Sequence, residues 1–377
     1  MEIVVRPFPG DFPLGGLFDS AATAQGQRAW FEMLARTTLA CGEQAIIVVA
    51  LLDGSPRGAL PLVRTRGGLR ALTAPYTTVF APPLGEPEIA YELGRCASQY
   101  VPSTLRLDGL DAAEPASAAF LDGLSRAGLA SARYGGFANW YEPVGDFESW
   151  WNRRPSRLKA TVRRKLAAAS KQDATFALVS GDFDEPIAAY EDIYGRSWKT
   201  AEPHPGFVRA MVAALAREGL VRMGVMKLGG RPVAAQIWLV CGRRATIFKL
   251  AHREDAAALS PGTLLTYRMA RALIAADQLC EIDFGRGDDA YKRDWLSSVR
   301  TRTGVIAADW RNLSGFRALV KDILPTRLGS FIRAFRRQAA GNHFGSVAAT
   351  YDPKLSAPRL HIKRDGVGLE SRAEMNR

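Results

Sequence analysis

One short pattern occurs twice in this chain. Leu52, Gly54, Pro56 and Ala59 recur, with the same spacing, as Leu228, Gly230, Pro232 and Ala235. Each set lies between two β-rich runs, 46–51 and 60–63 in the first case, 221–227 and 236–241 in the second. Glycine at a turn flanked by apolar, β-prone residues signals a hairpin. A hairpin repeated without gaps points to two copies of one α/β unit, although such hairpins also occur in unduplicated α/β chains.

At 377 residues the chain has room for two domains. In its second half, apolar periodicity predicts helices over 156–171, 185–200, 206–218 and 260–277. It also predicts a strand over 174–179, a three-strand meander over 221–252, a strand over 279–284 and a short helix over 288–296. That order makes a mixed α/β layer with helices packed on a sheet, an α+β mixed-sheet class. The first half is less regular, with helical periods near 89–100 and 116–126 and strand-like runs near 104–107 and 129–134. An aromatic patch at 147–152, followed by a basic helix, sets a boundary near 148. The expected organisation is one unit over 1–148, a second over 149–312, and a basic amphipathic helix with a polar tail over 313–377.

Several function classes lose ground here. No run of about 20 apolar residues is present, so no membrane-spanning helix is expected. Glu2 and the lack of a long apolar stretch near the start argue against a secretory leader, so a cytoplasmic location is expected. The four cysteines form no C-x-x-C pair, and Cys241 and Cys280 stand in apolar runs, which suits buried reduced thiols. The four histidines are scattered, and no metal is expected. Neither a Gly-x-Ser-x-Gly elbow nor a P-loop appears, which argues against serine hydrolases and nucleoside triphosphatases.

The formal charge of +12 is unevenly placed: residues 1–146 hold 11 basic and 15 acidic side chains, residues 147–377 hold 39 and 23. Between 149 and 172 there are eight basic residues and no acid. That stretch is either a solvated face or a site for an anion: a phosphate-bearing cofactor, RNA or an anionic membrane. Over 319–337, Leu319, Val320, Ile323, Leu324, Leu328, Phe331, Ile332 and Phe335 recur at helical spacing, with Lys321, Arg327, Arg333, Arg336 and Arg337 between them. Such a helix either docks on the protein's own core or lies on a membrane surface.

Three segments could carry chemistry. At Ser260–Pro261–Gly262–Thr263 a favoured capping residue and a first-position proline open a helix whose next N–H groups lack intrahelical partners. This is an ordinary capped helix or an anion site. Next, Glu281 and Asp283 share one face of a strand that leads through Gly285 and Gly287 to Asp288, Tyr291 and Lys292. The C-terminal end of such a strand is where α/β folds place ligands, though a glycine turn followed by a salt-bridged helix reads the same way. Last, Tyr190, Tyr194 and Trp198 recur every four residues beside Arg196 and Lys199, forming a core face or a substrate wall.

These segments, in this order, resemble the GNAT-type acetyltransferases of cellulose and exopolysaccharide biosynthesis (CelD-like), a group related to the Fem-type aminoacyl transferases. The similarity spans about 150–300 and is most specific at Ile282-Asp283-Phe284-Gly285-Arg286-Gly287-Asp288 with Tyr291-Lys292. It implies tandem GNAT-like domains, the first degenerate. It also implies an acyltransferase that passes an acetyl or longer acyl group directly from acyl-CoA to an amine or hydroxyl, in polysaccharide or cell-envelope metabolism. On this resemblance Ser260, Pro261, Gly262, Thr263 and Lys249 would hold the donor. Trp198, Lys199, Gln236, Arg286 and Lys292 would contact the acceptor, a small molecule or saccharide. Tyr291 would protonate the departing thiolate, and Asp283 would orient or deprotonate the acceptor. The usual Q/R-x-x-G-x-G/A loop is reduced here to Ser260-Pro261-Gly262. Two other functions are compatible with the charge: a Fem-like transferase using aminoacyl-tRNA, and a non-catalytic membrane-surface module.

Overall fold

The computed structural model describes residues 1–101 and 103–328. The first half contains β1 (Glu2–Pro7), α1 (Arg28–Thr37), β2 (Gln44–Leu52), β3 (Ser55–Thr65), β4 (Gly68–Ala71), α2 (Pro87–Ala97), β5 (Thr104–Leu110), α3 (Pro115–Arg126) and β6 (Ala130–Pro143). Next come α4 (Phe147–Asn152), α5 (Ser156–Ser170), β7 (Ala174–Val179), α6 (Asp184–Gly195), α7 (Phe207–Ala216), β8 (Val221–Leu228), β9 (Arg231–Cys241) and β10 (Arg244–His252). The described chain closes with α8 (Pro261–Ala276), β11 (Glu281–Arg286), α9 (Lys292–Trp295), β12 (Ser298–Ala308) and α10 (Leu313–Ala318).

All twelve strands join one sheet in the order β1-β2-β3-β4-β5-β12-β6-β11-β10-β9-β8-β7. Adding six to each strand of the first half gives the same order read backwards. The parallel pair β4–β5 has its counterpart in the parallel pair β10–β11. The repeated hairpins of the sequence are the β2–β3 and β8–β9 turns, which correspond under this operation. The last strand of each half is exchanged: β12 lies between β5 and β6, and β6 lies between β12 and β11. The sheet therefore runs unbroken past position 148.

β9 shows why the sheet is covered on both faces. Its apolar run has no polar alternation, as a strand buried on two sides requires. Ala235, Ile237 and Leu239 enter one core with α1, α6 and α7, while Val233, Trp238 and Val240 enter another with α4, α5 and α8. Trp30 of α1 meets Phe207 of α7 edge-on at 6.2 Å, so the first core is shared by the two halves.

Three elements depart from expectation. The helix expected over 185–200 ends at Gly195, so Trp198 and Lys199 lie in a loop and do not continue the Tyr190–Tyr194 face. The helix expected over 288–296 is the single turn Lys292–Trp295, and Asp288, ahead of it, accepts from Trp140 Nε1 at 2.9 Å. Of the amphipathic helix expected over 319–337, the part to 328 is a π turn at Leu319–Ile323 followed by helix over 324–328. The remainder, 329–337, and the polar tail lie outside the described residues.

Candidate active site

β10 and β11 are paired only through Arg244–Glu281, Ala245–Ile282 and Thr246–Asp283. Beyond these residues the two parallel strands part. β10 bulges against β9 between Ile247 and Lys249, leaving Phe248 outside the register. β11 turns away at Gly285, whose φ of 64° falls where side chains are disfavoured and where an added Cβ would sit 3.3 Å from Thr78 Cγ2. A cavity of about 330 Å³ fills the opening. Ile247 to Leu250 form one wall, and Phe284 to Arg286 with Tyr291 form the other. Trp198 and Lys199 from the loop after α6 and Tyr76 and Thr78 from the first half complete the lining.

The lining is aromatic and cationic. Lys249 Nζ pairs with Glu202 at 2.7 Å and lies 4.7 Å from the Tyr76 ring centroid. Lys199 Nζ sits 5.7 Å and 5.9 Å from the Trp198 and Tyr194 rings, and forms no ion pair with a described residue. Burial and the adjacent Lys249 charge bring the Lys199 ammonium down to about 8. Burial, and then the nearby Asp289 carboxylate, hold the Tyr291 phenol above its ordinary value, so it remains protonated at neutral pH. Arg286 stands exposed at the rim with its guanidinium 4.4 Å from the Phe137 ring. Past Arg286 and Pro75 lies a second cavity of about 480 Å³, lined by Glu43, Arg70, Asp108 and His204 among others.

Beneath the wedge the charges are mutually satisfied. Asp283 Oδ1 accepts from Asn139 Nδ2 at 2.7 Å and from the Gly285 N–H at 2.6 Å, and Oδ2 accepts from Arg300. Arg300 also donates to Glu281 at 2.9 Å and to Asn139 Oδ1 at 2.7 Å. This network joins β6, β11 and β12 at the point where the strands begin to part. Lys292, with a nearly inaccessible side chain, donates to the carbonyls of Arg286 at 2.7 Å and Gly287 at 3.2 Å, which fixes the turn carrying Arg286.

The start of α8 is the other relevant feature. Ser260 adopts a left-handed conformation, φ 51°, and its side chain does not cap the helix, contrary to its expected role. The first helical bond runs from the Leu264 N–H to the Ser260 carbonyl at 3.2 Å, which leaves the Gly262 and Thr263 N–H groups without a partner inside the helix. Gln236, expected as an acceptor contact, is fully buried. Its Nε2 donates to the Gly262 carbonyl at 2.9 Å and to Thr266 Oγ1 at 2.7 Å, and its Oε1 accepts from Trp238, so it anchors the helix to β9 and does not reach the cavity.

Residues 156–293 match the family model described as an acetyltransferase (GNAT) domain. The chain carries a GNAT domain. The parting strands, the start of α8 and the Asp283–Tyr291 segment all fall inside it. A search of curated proteins finds no significant match. Among solved structures, the crystal structure of FemX is similar at 10% identity and a TM-score of 0.57, covering 81% of this chain and 96% of that one. A tandem GNAT protein from the clavulanic acid biosynthesis pathway aligns at 13% identity and a TM-score of 0.44, over 81% of this chain and 98% of that one. At 10% identity the likeness to FemX is one of fold.

The GNAT domain thus gathers Trp198, Lys199, Lys249, Arg286, Tyr291 and Lys292 at one cavity. It keeps Asp283 in the network below and Gln236 in the core. Ser260, Pro261, Gly262 and Thr263 stand at the helix start, linked to the cavity through His252, whose ring lies 4.4 Å from that of Trp198 and whose Nδ1 is 3.5 Å from where a Gly262 Cβ would be. Tyr76, Thr78, Glu202 and the Phe248 bulge were not anticipated. Tyr76 and Thr78 belong to the first half, where none of the chemistry-bearing segments lies, and a bulge has no sequence signature of its own here. Part of the basic run is structural: Arg153 and Arg154 pair with Glu142 of the preceding strand β6, and Arg157 pairs with Asp294 from far along the chain. Arg163 and Arg164 remain exposed.

Proposed function

We propose that this protein is an acyltransferase that takes an acetyl or longer acyl group from acyl-CoA and passes it directly to an amine held in the wedge. The observation that carries this reading is the cavity opened by the parting of β10 and β11, with a lysine of lowered pKa and a protonated tyrosine in its walls. A thioester is already activated, so the protein has to align the amine with it, supply a hydrogen bond to the developing oxyanion and move two protons. The Phe248 N–H, released from the strand register, is suited to the oxyanion. Lys199, neutral in a useful fraction near pH 8, takes the proton from the acceptor ammonium. Tyr291 gives its proton to the leaving thiolate. The amine forms the new C–N bond as the C–S bond breaks, the proton shed by the nitrogen as it becomes an amide restores the Tyr291 phenol, and no covalent enzyme intermediate is needed. Asp283, with its lone pairs committed, acts by holding β11 and Arg300 in place.

On this reading the donor's phosphates lie at Gly262 and Thr263, where the open N–H groups and the helix dipole favour an anion. The acceptor enters through the second cavity past Arg286. The mixed charges there suit a polar amine such as an amino sugar or another cell-envelope precursor. Calorimetry with acetyl-CoA and longer acyl-CoAs tests the donor. Saturable binding at about micromolar Kd, lost in Gly262→Trp, is expected. If no acyl-CoA binds, the donor assignment fails, and the exposed Arg163 and Arg164 make aminoacyl-tRNA the next donor to try.

A further inference from the structure

α10, the π turn and helix 324–328 form one continuous helical run whose two sides differ. The inner side is anchored. Ala318 and Ile323 pack with Ala132, Ile306 and Ala308, Asp322 pairs with Arg106 at 2.8 Å, and Asn312 Oδ1 accepts from the Gly315 N–H at 2.8 Å. The outer side carries Leu313, Phe316, Val320, Leu324 and Leu328, three or four residues apart, with Trp310 at its foot. Their exposures run from 49% to 69%, and the six are nearly half of the thirteen large apolar side chains that stand exposed among the described residues. Single exposed apolar residues are ordinary, but a row of them on one anchored helix marks a contact surface.

The charge around the row selects the partner. Arg317 and Lys321 flank it and form no ion pair with any described residue. In the sequence no acid occurs between Asp322 and Asp352, while Arg327, Arg333, Arg336 and Arg337 do. A second copy of the chain would set these cations against their own equivalents, and the following segment carries the same sign. We infer that the ridge docks on an anionic lipid surface, with its apolar side chains at the headgroup boundary and Arg317 and Lys321 against lipid phosphates. An apolar row flanked by cations on a helix lying in the interface plane binds in this way. The inference is independent of which acyl group the wedge transfers.

Co-sedimentation of the full-length chain with phosphatidylcholine vesicles, with and without phosphatidylglycerol, tests it. Binding is expected only to the anionic vesicles and is expected to weaken as salt is raised. The double variant Leu313→Asp/Phe316→Asp should lose about tenfold or more of that partitioning, with an unchanged melting curve. Arg317→Glu/Lys321→Glu should do the same while leaving the apolar row intact. Equal binding to neutral vesicles, undiminished binding by either variant, or a concentration-dependent dimer abolished by the first variant would each overturn the inference.

Discussion

At the scale of single residues, the division of labour proposed for Lys199, Tyr291 and Asp283 is open to separation. Lys199 is a base only when neutral, so kcat should rise with pH to a plateau, with a limb near the value of about 8 that burial and Lys249 impose. Lys199→Met should cost about 10²–10⁴-fold in rate, as losing a general base does. Lys199→Arg should remove the limb while keeping a cation; a limb that survives in Lys199→Arg would move the base elsewhere. Tyr291→Phe should lower kcat by about tenfold or more with donor affinity unchanged. Asp283→Asn should act chiefly on stability, costing about 1–3 kcal/mol in urea titration, because it leaves Arg300 and the Gly285 N–H poorly matched. A stable but inactive Asp283→Asn protein would restore Asp283 as the base. The sequence set Tyr291 beside a strand end and Lys199 beside an aromatic patch, and both line the cavity, but only the resemblance suggested an acid role for Tyr291 and nothing in the sequence marked Lys199 as a base. It could not show that Asp283 is spent on Arg300, because that partner comes from a strand whose place in the sheet no local pattern announces.

At the scale of elements, legibility followed periodicity. β7 matches its expected bounds, and α5 ends one residue short of its own. α6 was read too long because Tyr190, Tyr194 and Trp198 keep a four-residue rhythm after the backbone has left the helix at Gly195. Trp198 instead turns to His252, which is what brings Lys199 to the wedge. The α2–α3 pair depends on two glycines with no motif around them. A Cβ at Gly94 would lie 2.2 Å from the Phe120 carbonyl oxygen, and one at Gly123 would lie 2.1 Å from that of Tyr91. The helices cross with backbones in contact, so Gly123→Val should cost about 1–3 kcal/mol or more by forcing them apart, read as a lowered Tm. A Tm unchanged by that substitution would mean the crossing is looser than the geometry indicates.

At the scale of the whole molecule, the two halves share a core and exchange strands, so unfolding should follow one transition with the same midpoint by fluorescence and circular dichroism. The buried pair at the seam makes this testable in a second way. Glu142 on β6 accepts from Arg154 at 2.9 Å and from the Ser297 N–H at 2.9 Å. Burial alone would raise its carboxyl, but Arg154, Arg153 and the Ser297 N–H together outweigh burial and hold it below the usual range. Its stabilisation is thus fully present above the ordinary carboxylate range and is lost as pH falls through the lowered value. Arg154→Met, which strands the buried carboxylate, should cost about 3–5 kcal/mol at neutral pH and much less in acid. The repeated hairpin announced two units. The exchange of β6 and β12 left no trace in the sequence, because pairing across so long a separation rests on which edges remain open and not on local pattern. That exchange has a consequence for how the protein is made. Arg302 on β12 reaches Asp111, 191 positions earlier in the chain. A ribosome adding 5–20 residues per second takes about 10–40 s to cover that distance. From the completion of β6 at Pro143 until β12 begins at Ser298, β5 and β6 have been made but the strand that belongs between them has not. The place between β5 and β6 therefore stays unfilled in the growing chain until the last of the twelve strands is made.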